Sequence, residues 1–279
     1  MPHMQPETPA STGLGRVLIV GGGSMGQAIC AGMIAAGVVA PQQLTVANPG
    51  QAKREALAAR YGVATVADAC DALPADVIIL AVKPKIVCEV AAQLSAAGTR
   101  GALVISIAAG VSTGKLAACF DAGQAIVRVM PNTPLLVGEG MSVASPGACA
   151  DEAAMEKVRA IFACMGSFAV VEESLQDVVT AVSGSGPAYF ELVCETLARR
   201  AQELGLEYGT ARTLALQTMK GTAVLVEETG QDLPSAIEAV SSPGGTTVAA
   251  LEAMRAAGLV TAVANGVSAA TQRSKELGA

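Results

Sequence analysis

The first half of the chain alternates two hydrophobic patterns. Short runs of β-branched and aliphatic residues have strand length, and the segments between the early runs have helical spacing. The strand-like runs lie at 16–20, 44–48, 76–82, 102–107, 124–130 and 167–171, and the helix-like segments at 24–37, 51–62 and 86–95. The run at 76–82 is apolar throughout, which is typical of a central parallel strand buried on both faces. This alternation predicts an α/β fold with a doubly wound, mainly parallel sheet.

The second half of the chain has only helical periodicity, over the segments 174–182, 187–204, 210–228 and 248–277. The stretch 213–228 carries more apolar surface than one amphipathic stripe needs. We therefore expect an all-helical dimerisation domain that buries this surface against another copy of the chain, with a packed monomer as the alternative. The predicted divisions are a disordered tail at 1–15, a dinucleotide-binding domain at 16–172 and a helical dimerisation and substrate domain at 173–279.

Composition narrows the class of protein. The 279 residues are 52% apolar, carry a net charge of −6 and contain no basic block, so we expect no nucleic-acid partner. We find no apolar run of roughly 20 residues, as a membrane span would need, and no signal-peptide pattern. Seven scattered cysteines without a CxxC pair indicate free thiols in the cytoplasm. The one histidine is His3, so we predict no histidine catalysis and no metal site.

The stretch RVLIVGGGSMGQAI places Gly21, Gly23 and Gly26 in a G-x-G-x-x-G pattern. The pattern follows a strand and opens a helix, which is the context that a dinucleotide site requires. Glycines there permit a tight turn, close approach of a pyrophosphate and close strand–helix packing. The sequence therefore predicts a Rossmann-type domain that holds a cofactor's phosphates at a helix start.

The end of the second predicted strand suggests which dinucleotide is bound. A site for NAD usually has Asp or Glu about 20 residues past the turn, whereas this chain has Asn48. A 2′-phosphate would not be repelled there, and Lys53 and Arg54 could neutralise it. We predict a preference for NADP(H) over NAD(H). The alternative is that Lys53 and Arg54 only belong to the solvent-exposed face of a helix.

Two further segments follow predicted strands, at the sheet edge where α/β proteins bind ligands. AVKP at 81–84 places Lys83 toward a ligand and Pro84 in a first helical turn. SIAAGVS at 106–112 offers Ala108 and Ala109, against which a flat ring or ribose could lie. Either segment alone would suit a surface turn, but two at one edge favour a site.

Two small-residue stretches in the second half, SGSGPAYF at 183–190 and SSPGGTT at 241–247, each feed a predicted helix. Glycine lets the backbone approach a ligand, and a helix start offers unpaired N–H donors, so such a loop suits a small carboxylate. The alternative for 183–190 is a domain hinge or a tight helix crossing. For 241–247 it is an ordinary link between helices, which would not need two glycines followed by two threonines.

With these motifs the chain resembles the pyrroline-5-carboxylate reductases, oxidoreductases of proline biosynthesis. The resemblance is carried, in family order, by GGGSMG, AVKP, SIAAGV, MPNTP, AVSGSGPAYF and SSPGGTT. It implies hydride transfer from NAD(P)H to a cyclic imino acid, 1-pyrroline-5-carboxylate, which gives L-proline. It also implies a homodimer formed through the helical domain and able to assemble further. The active site would lie between one subunit's nucleotide domain and the helical domains of the dimer.

The resemblance also assigns residues. Thr247 would be the catalytic residue, with its hydroxyl near the ring nitrogen. The substrate would be bound by Ser242, Gly244, Gly245, Thr246 and Thr247. The cofactor would be bound by Gly21, Gly23, Ser24, Met25, Gly26, Asn48, Ala81, Val82, Lys83, Pro84, Ala108 and Ala109. Asp68 departs from the Asn often found there, and Glu172 and Glu173 could contact substrate or cap a helix.

Two other interpretations of the sequence stay open. The glycine pattern also suits 3-hydroxyacid dehydrogenases related to 6-phosphogluconate dehydrogenase, which need a lysine acid–base group in the helical domain. Lys220 is the only lysine there before Lys275, and it lies in no matching motif. A dinucleotide-sensing dimer is the non-enzymatic interpretation, but a sensor has no need of a second anion-binding loop such as 241–247.

Overall fold

A computed structural model describes residues 13–278, and eight strands in this part of the chain form one sheet. The strands are β1 (Val17–Val20), β2 (Leu44–Ala47), β3 (Ala64–Val66), β4 (Val77–Leu80), β5 (Leu103–Ser106), β6 (Ala125–Met130), β7 (Gly140–Pro146) and β8 (Gly166–Val170). Most of the predicted tail, including His3, lies outside the described residues.

The sheet is doubly wound, with strand order β3-β2-β1-β4-β5-β6-β7-β8. Every neighbouring pair is parallel except β6 and β7, which run antiparallel with Val129 opposite Ala144. The mainly parallel sheet is therefore confirmed. Because β2 and β4 lie on opposite sides of β1, the order reverses between β1 and β4, where such folds bind ligands at the carboxyl ends of the strands.

α-Helices follow most strands, and after β8 the described chain continues through helices and the loops between them. The α-helices are α1 (Ser24–Ala35), α2 (Gln51–Tyr61), α3 (Pro84–Ala97), α4 (Thr113–Ala117), α5 (Glu152–Phe162), α6 (Gln176–Val179), α7 (Gly186–Glu203), α8 (Tyr208–Thr229), α9 (Leu233–Ala239), α10 (Thr246–Ala256) and α11 (Leu259–Gly278). The helical periodicity predicted over 248–277 corresponds to two helices. The break between α10 and α11 falls at Gly258, whose φ of +87° favours glycine.

Alternation along the strands sends successive side chains into two cores, one on each face of the sheet. Ile19 and Ile79 are fully buried in a core that α1, α2 and α5 cover. Their neighbours Leu18 and Ile78 are buried in a second core under α3 and α4. This double cover explains why the central strands have no polar face, and it fixes the carboxyl-end loops at one edge of the sheet.

The described chain divides into two compact units, residues 13–184 with 270–278 and residues 185–269. The domain boundary predicted between 172 and 173 rests on sequence periodicity and stays a prediction. In the second unit α7 packs on α8, but many large apolar side chains remain exposed, such as Phe190 (62%) and Leu225 (59%).

No single helix in the described part of the chain is both long and apolar enough to cross a membrane. Helices α10 and α11 reach that threshold only when they are taken together, as a pair bent by 55°.

Candidate active site

The loops after β1 and β4 meet at the point where the strand order reverses. Gly21 N donates to Ala47 O (2.9 Å), and Ala81 N donates to Val20 O (2.8 Å). Gly21 has a φ of +114°, and a Cβ on it would lie 2.5 Å from Ala81 O. Only glycine fits such a position, so the first motif glycine is required by the protein's own packing.

The other two motif glycines have different neighbours. A Cβ on Gly26 would run into the carbonyl oxygen of Gly21, so Gly26 lets α1 pack directly on the turn. A Cβ on Gly23 would meet no protein atom within 4 Å. Gly23 also caps α1 without a side-chain hydrogen bond, which leaves the first-turn N–H groups for a ligand. The missing side chain at Gly23 therefore leaves room for a phosphate at this helix start.

A cavity of about 760 Å³ opens beside this turn, and it contains part of the predicted cofactor site. Its lining includes Gly21, Gly23, Asn48, Ala81, Val82 and Lys83. The predicted residues that do not line it are Ser24, Met25, Gly26, Pro84, Ala108 and Ala109. Of these, the first three form the opening turn of α1, Pro84 is the first residue of α3, and the two alanines follow β5, one strand further along the sheet.

Asn48 ties the end of β2 to the glycine turn. Its Oδ1 accepts from Gly22 N (3.3 Å), and its Nδ2 donates to Gly50 O (3.4 Å). Arg54 Nη1 donates to the carbonyl oxygens of Asn48 (2.9 Å) and Pro49 (2.8 Å), so Arg54 holds this turn. Of the two predicted cations, only Lys53 lines the cavity, where its side chain is exposed in the first turn of α2, a few residues after the uncharged Asn48.

Sequence reasoning missed one wall of the cavity, which is a face of α3 formed by Ile86, Val90 and Gln93. Their helical spacing was the available signal, since residues three or four apart share a face. Cys70 was also missed. Its backbone N–H donates to Asp68 Oδ1 (2.9 Å), and burial, together with the charge of Asp68, raises the pKa of its thiol.

The second predicted loop, 241–247, joins α9 to α10 in the helical unit. Gly244 has a φ of +71°, and Gly245 N donates to Ser242 O (2.9 Å). A Cβ on Gly245 would lie 2.9 Å from the backbone oxygen of Ser242, so the loop is too tight for a side chain there. Helix α10 then begins at Thr246 with no side-chain cap, which leaves its first N–H groups at an exposed position. This geometry suits a carboxylate.

The stretch 183–190 is not a loop, contrary to the sequence prediction. Residues Thr180–Gly184 form a π-helical turn that leads into α7. A Cβ on Gly184 would lie 2.5 Å from Met130 Cε, the flexible end of a side chain on β6, so the glycine lies against a strand and this contact shows no crossing of two helices. Glu173 does not line the cavity, and its carboxylate accepts from the backbone N and the hydroxyl of Thr113, the first residue of α4, rather than from the helix that follows Glu173 itself.

A doubly wound sheet with a glycine-opened, uncapped helix where the strand order reverses defines a dinucleotide-binding α/β protein. A family model described as pyrroline-5-carboxylate reductase dimerisation matches residues 173–277. Another, described as NADP oxidoreductase, coenzyme F420-dependent, matches residues 16–110.

Whole-chain comparisons agree with these matches. The chain is 40% identical to a pyrroline-5-carboxylate reductase of Corynebacterium melassecola, over 94% of this chain and 98% of that protein. It is 42% identical to that of a Synechocystis strain, over 93% and 97%. A crystal structure of Plasmodium falciparum pyrroline carboxylate reductase with NADP bound matches with a TM-score of 0.86 and 30% identity, over 95% of this chain and 98% of that one. The chain belongs to the pyrroline-5-carboxylate reductase family.

Proposed function

We propose that this protein reduces 1-pyrroline-5-carboxylate to L-proline by hydride transfer from NADPH, the last step of proline biosynthesis. Membership of the family over nearly the whole chain carries the proposal. Two separate helix starts without a side-chain cap support it, one at Gly23 before α1 and one at Gly245 before α10. A reductase of a carboxylated imine needs one site for the cofactor's phosphates and one for the substrate's carboxylate.

The first unit fits NADP(H). The space at Gly23 and the free N–H groups of α1 suit the pyrophosphate, and the loop residues 81–83 form the neighbouring wall of the cavity. Lys53 supplies a positive charge where Asn48 supplies none, which favours a 2′-phosphate. We propose that the other assigned residues of the first turn of α1, Pro84, and the pair Ala108 and Ala109 complete the site. NADH is the weaker alternative.

The loop 241–247 would hold the substrate. We propose that the backbone of Gly244, Gly245 and Thr246 holds the carboxylate, with the first N–H groups of α10 as its donors, because helix-start donors favour an anion. Gly244 supplies the left-handed turn that aims them, and Ser242 fixes the turn by accepting from Gly245 N. The hydroxyl of Thr247, which is half-buried in the first turn of α10, would orient the ring nitrogen.

The chemistry demands little acid–base catalysis from the protein. Bound NADPH supplies the hydride, and a protonated imine is already a good acceptor for it. The chain's contribution is to hold the imine by its carboxylate, to orient the nitrogen through Thr247 and to displace water, so that rate enhancement rests on positioning. This agrees with a chain whose one histidine, His3, lies outside the described residues.

We further propose that the protein is a homodimer through its helical unit, able to assemble further, and that it works in the cytoplasm. The exposed apolar surface of α7 and α8 supports the dimer, and the region matched by the dimerisation model includes both helices. All seven cysteines are free, which suits a reducing compartment.

Steady-state kinetics test the activity. Purified protein is mixed with 1-pyrroline-5-carboxylate and NADPH, then NADH, and loss of the reduced nicotinamide absorbance is followed while proline is quantified. The proposal predicts proline equal to the NADPH consumed, with a larger kcat/KM for NADPH than for NADH. Folded protein that binds NADPH but turns over no cyclic imine would refute the proposal and favour the sensor interpretation. Turnover of a 3-hydroxyacid with NADP would favour the dehydrogenase.

A further inference from the structure

The last turns of α11, residues 270–278, belong to the first compact unit and lie against the loop between β5 and α4. A Cβ on Gly110 would lie 2.6 Å from Ser274 O and 3.0 Å from Gly278 N. Lys115 Nζ, in α4, donates to Gly278 O (2.9 Å). The loop and the end of α11 are therefore in backbone contact, and the φ of +77° at Gly110 adds a second reason for glycine there.

A buried arginine links the same two segments. Arg128, on β6, is 3% exposed, and its guanidinium lies 3.9 Å from Glu173 Oε1 and 3.6 Å from Asp177 Oδ1. Glu173 accepts from the backbone N and the Oγ1 of Thr113, at 2.6 Å each, where the loop enters α4. Asp177 accepts from Ser274 Oγ (2.6 Å) on α11. One carboxylate thus holds the loop, the other holds α11, and the arginine joins them.

The two contacts of this cluster, Glu173 with the loop and Asp177 with α11, depend on each other through the charge of Arg128. Burial lowers the pKa of Arg128, and the carboxylates of Asp177 and Glu173 oppose that effect. The Nε and Nη2 atoms of Arg128 have no hydrogen-bond partner among the described residues, so its charge is balanced by these two ion pairs. Loss of either carboxylate would leave a buried charge poorly matched, which is strongly unfavourable. A substitution that breaks the contact between Asp177 and α11 should therefore also disturb the contact between Glu173 and the loop, and the reverse.

The loop held by the cluster lies where the second half of a dinucleotide is expected. Ile107 N donates to Leu80 O (3.2 Å), so the loop after β5 adjoins the loop after β4, which lines the cofactor cavity. The cavity spans the point where the strand order reverses, from the loop after β4 to the loops after β2 and β3, and its lining stops short of the loop after β5. Dinucleotides extend across that point, and the β5 side is therefore left for the other nucleotide.

We propose that Arg128, Glu173 and Asp177 are positioning residues for the cofactor: they couple the docked end of α11 to the loop 107–112. The loop then holds its cofactor-binding shape only while Ser274 is bound by Asp177. This inference rests on the proposed function in taking NADPH as the ligand. It adds that the C-terminal turns, which lie far along the chain from the glycine motif, control cofactor affinity.

Equilibrium titration of NADPH, without substrate, tests the inference on Glu173→Gln, Ser274→Ala and Thr113→Val. We expect each variant to raise the Kd of NADPH by about tenfold, with kcat at saturating NADPH within about twofold of the parent. Thr113→Ser keeps the hydroxyl and should retain the parent Kd. The matched control is Glu172→Gln, which changes the exposed neighbouring carboxylate and should leave the Kd unchanged. Because both arms act through Arg128, the double variant of Glu173 and Ser274 should raise the Kd by less than the product of the single effects.

If the variants melt at a lower temperature but keep the parent's Kd for NADPH, the inference is overturned, and the cluster only stabilises the fold. If Glu173→Gln does not fold, the comparison of Thr113→Val with Thr113→Ser decides the same question. Hydrogen exchange separates this inference from the proposed function. Even if the parent protein binds NADPH but reduces no imine, Ser274→Ala should expose the amides of 107–113 to faster exchange, and unchanged protection there would refute the coupling.

Discussion

Two glycines of one motif should respond in opposite ways to the same added methyl group. In Gly23→Ala the new Cβ meets no protein atom within 4 Å, and the backbone, at φ −73°, suits alanine. In Gly26→Ala the Cβ would run into the carbonyl oxygen of Gly21, which belongs to a turn fixed against β4. Gly23→Ala should therefore weaken NADPH binding, and Gly26→Ala should lower the free energy of unfolding.

The magnitudes follow from these contacts. At Gly23 the loss of a favoured helix N-cap residue, up to about 1 kcal/mol, is offset by a less flexible unfolded chain, about 0.4–1 kcal/mol. The free energy of unfolding should therefore change by less than about 0.5 kcal/mol. At Gly26, overpacking against a rigid carbonyl costs about 3 kcal/mol, and helix propensity returns about 1 kcal/mol. A net loss of about 2 kcal/mol corresponds to a melting temperature lower by about 4–8 °C.

Thermal melting and NADPH titration together test the contrast. Gly23→Ala should melt within about 2 °C of the parent but bind NADPH at least about tenfold more weakly, because the methyl occupies the phosphate space. Gly26→Ala should show the large melting shift. The reasoning would be refuted by a Gly23→Ala protein that binds NADPH as the parent does, since the open space at that helix start would then not be where the phosphates bind.

Four further changes test other parts of the structure. Lys53→Gln should lower kcat/KM for NADPH by about tenfold and leave that for NADH unchanged, because one charge at the 2′-phosphate is removed; an equal loss for both cofactors would contradict this. Thr247→Ala should lower kcat by at least about tenfold, and Thr247→Ser should restore it; full turnover in Thr247→Ala would remove the assigned role. Burial raises the pKa of the Cys30 thiol to about 11. The folded state therefore keeps the proton longer than the unfolded chain, and this contribution to stability is complete below about pH 9 and is lost as the pH rises toward 11. The difference in urea stability between the parent and Cys30→Ala should shrink over that range, and a constant difference would refute the assignment. Leu225→Glu should convert a dimer to a monomer in sedimentation, whereas Leu136→Glu, at a leucine of the same 59% exposure in the first unit, should not.

The central strands could be predicted because they are buried on both faces. The predicted runs at 16–20 and 76–82 include the whole of β1 and β4. A strand without a polar face appears in the sequence as a continuous apolar run, which is easy to recognise. Strand β7 was missed for the opposite reason. Its buried residues include Gly140, Ser142 and Ser145, so it has no β-branched run to mark it. Ser145 Oγ donates to Val171 O (2.7 Å), a partner that only the folded sheet supplies.

The site was predictable where one local element carries it and not where distant segments meet. The turn from β1 to α1 needs Gly21 and Gly26 for its own packing, so strand, turn and helix signals agree within one short segment. The cluster of Arg128, Glu173 and Asp177 has no such signal in the sequence. Thr113, which Glu173 binds, lies 60 positions from it, and Ser274, which Asp177 binds, lies 97 positions from Asp177. For Glu173 the sequence suggested substrate contact or a cap on the next helix, and the structure pairs its carboxylate with the start of α4 instead of the next helix. A buried charge cluster is defined by the arginine at its centre, and Arg128 stands within a strand whose pattern marks only apolar neighbours. A charged residue inside an otherwise apolar strand is therefore the one local signal for such a cluster, since burial requires it to find carboxylate partners elsewhere in the chain.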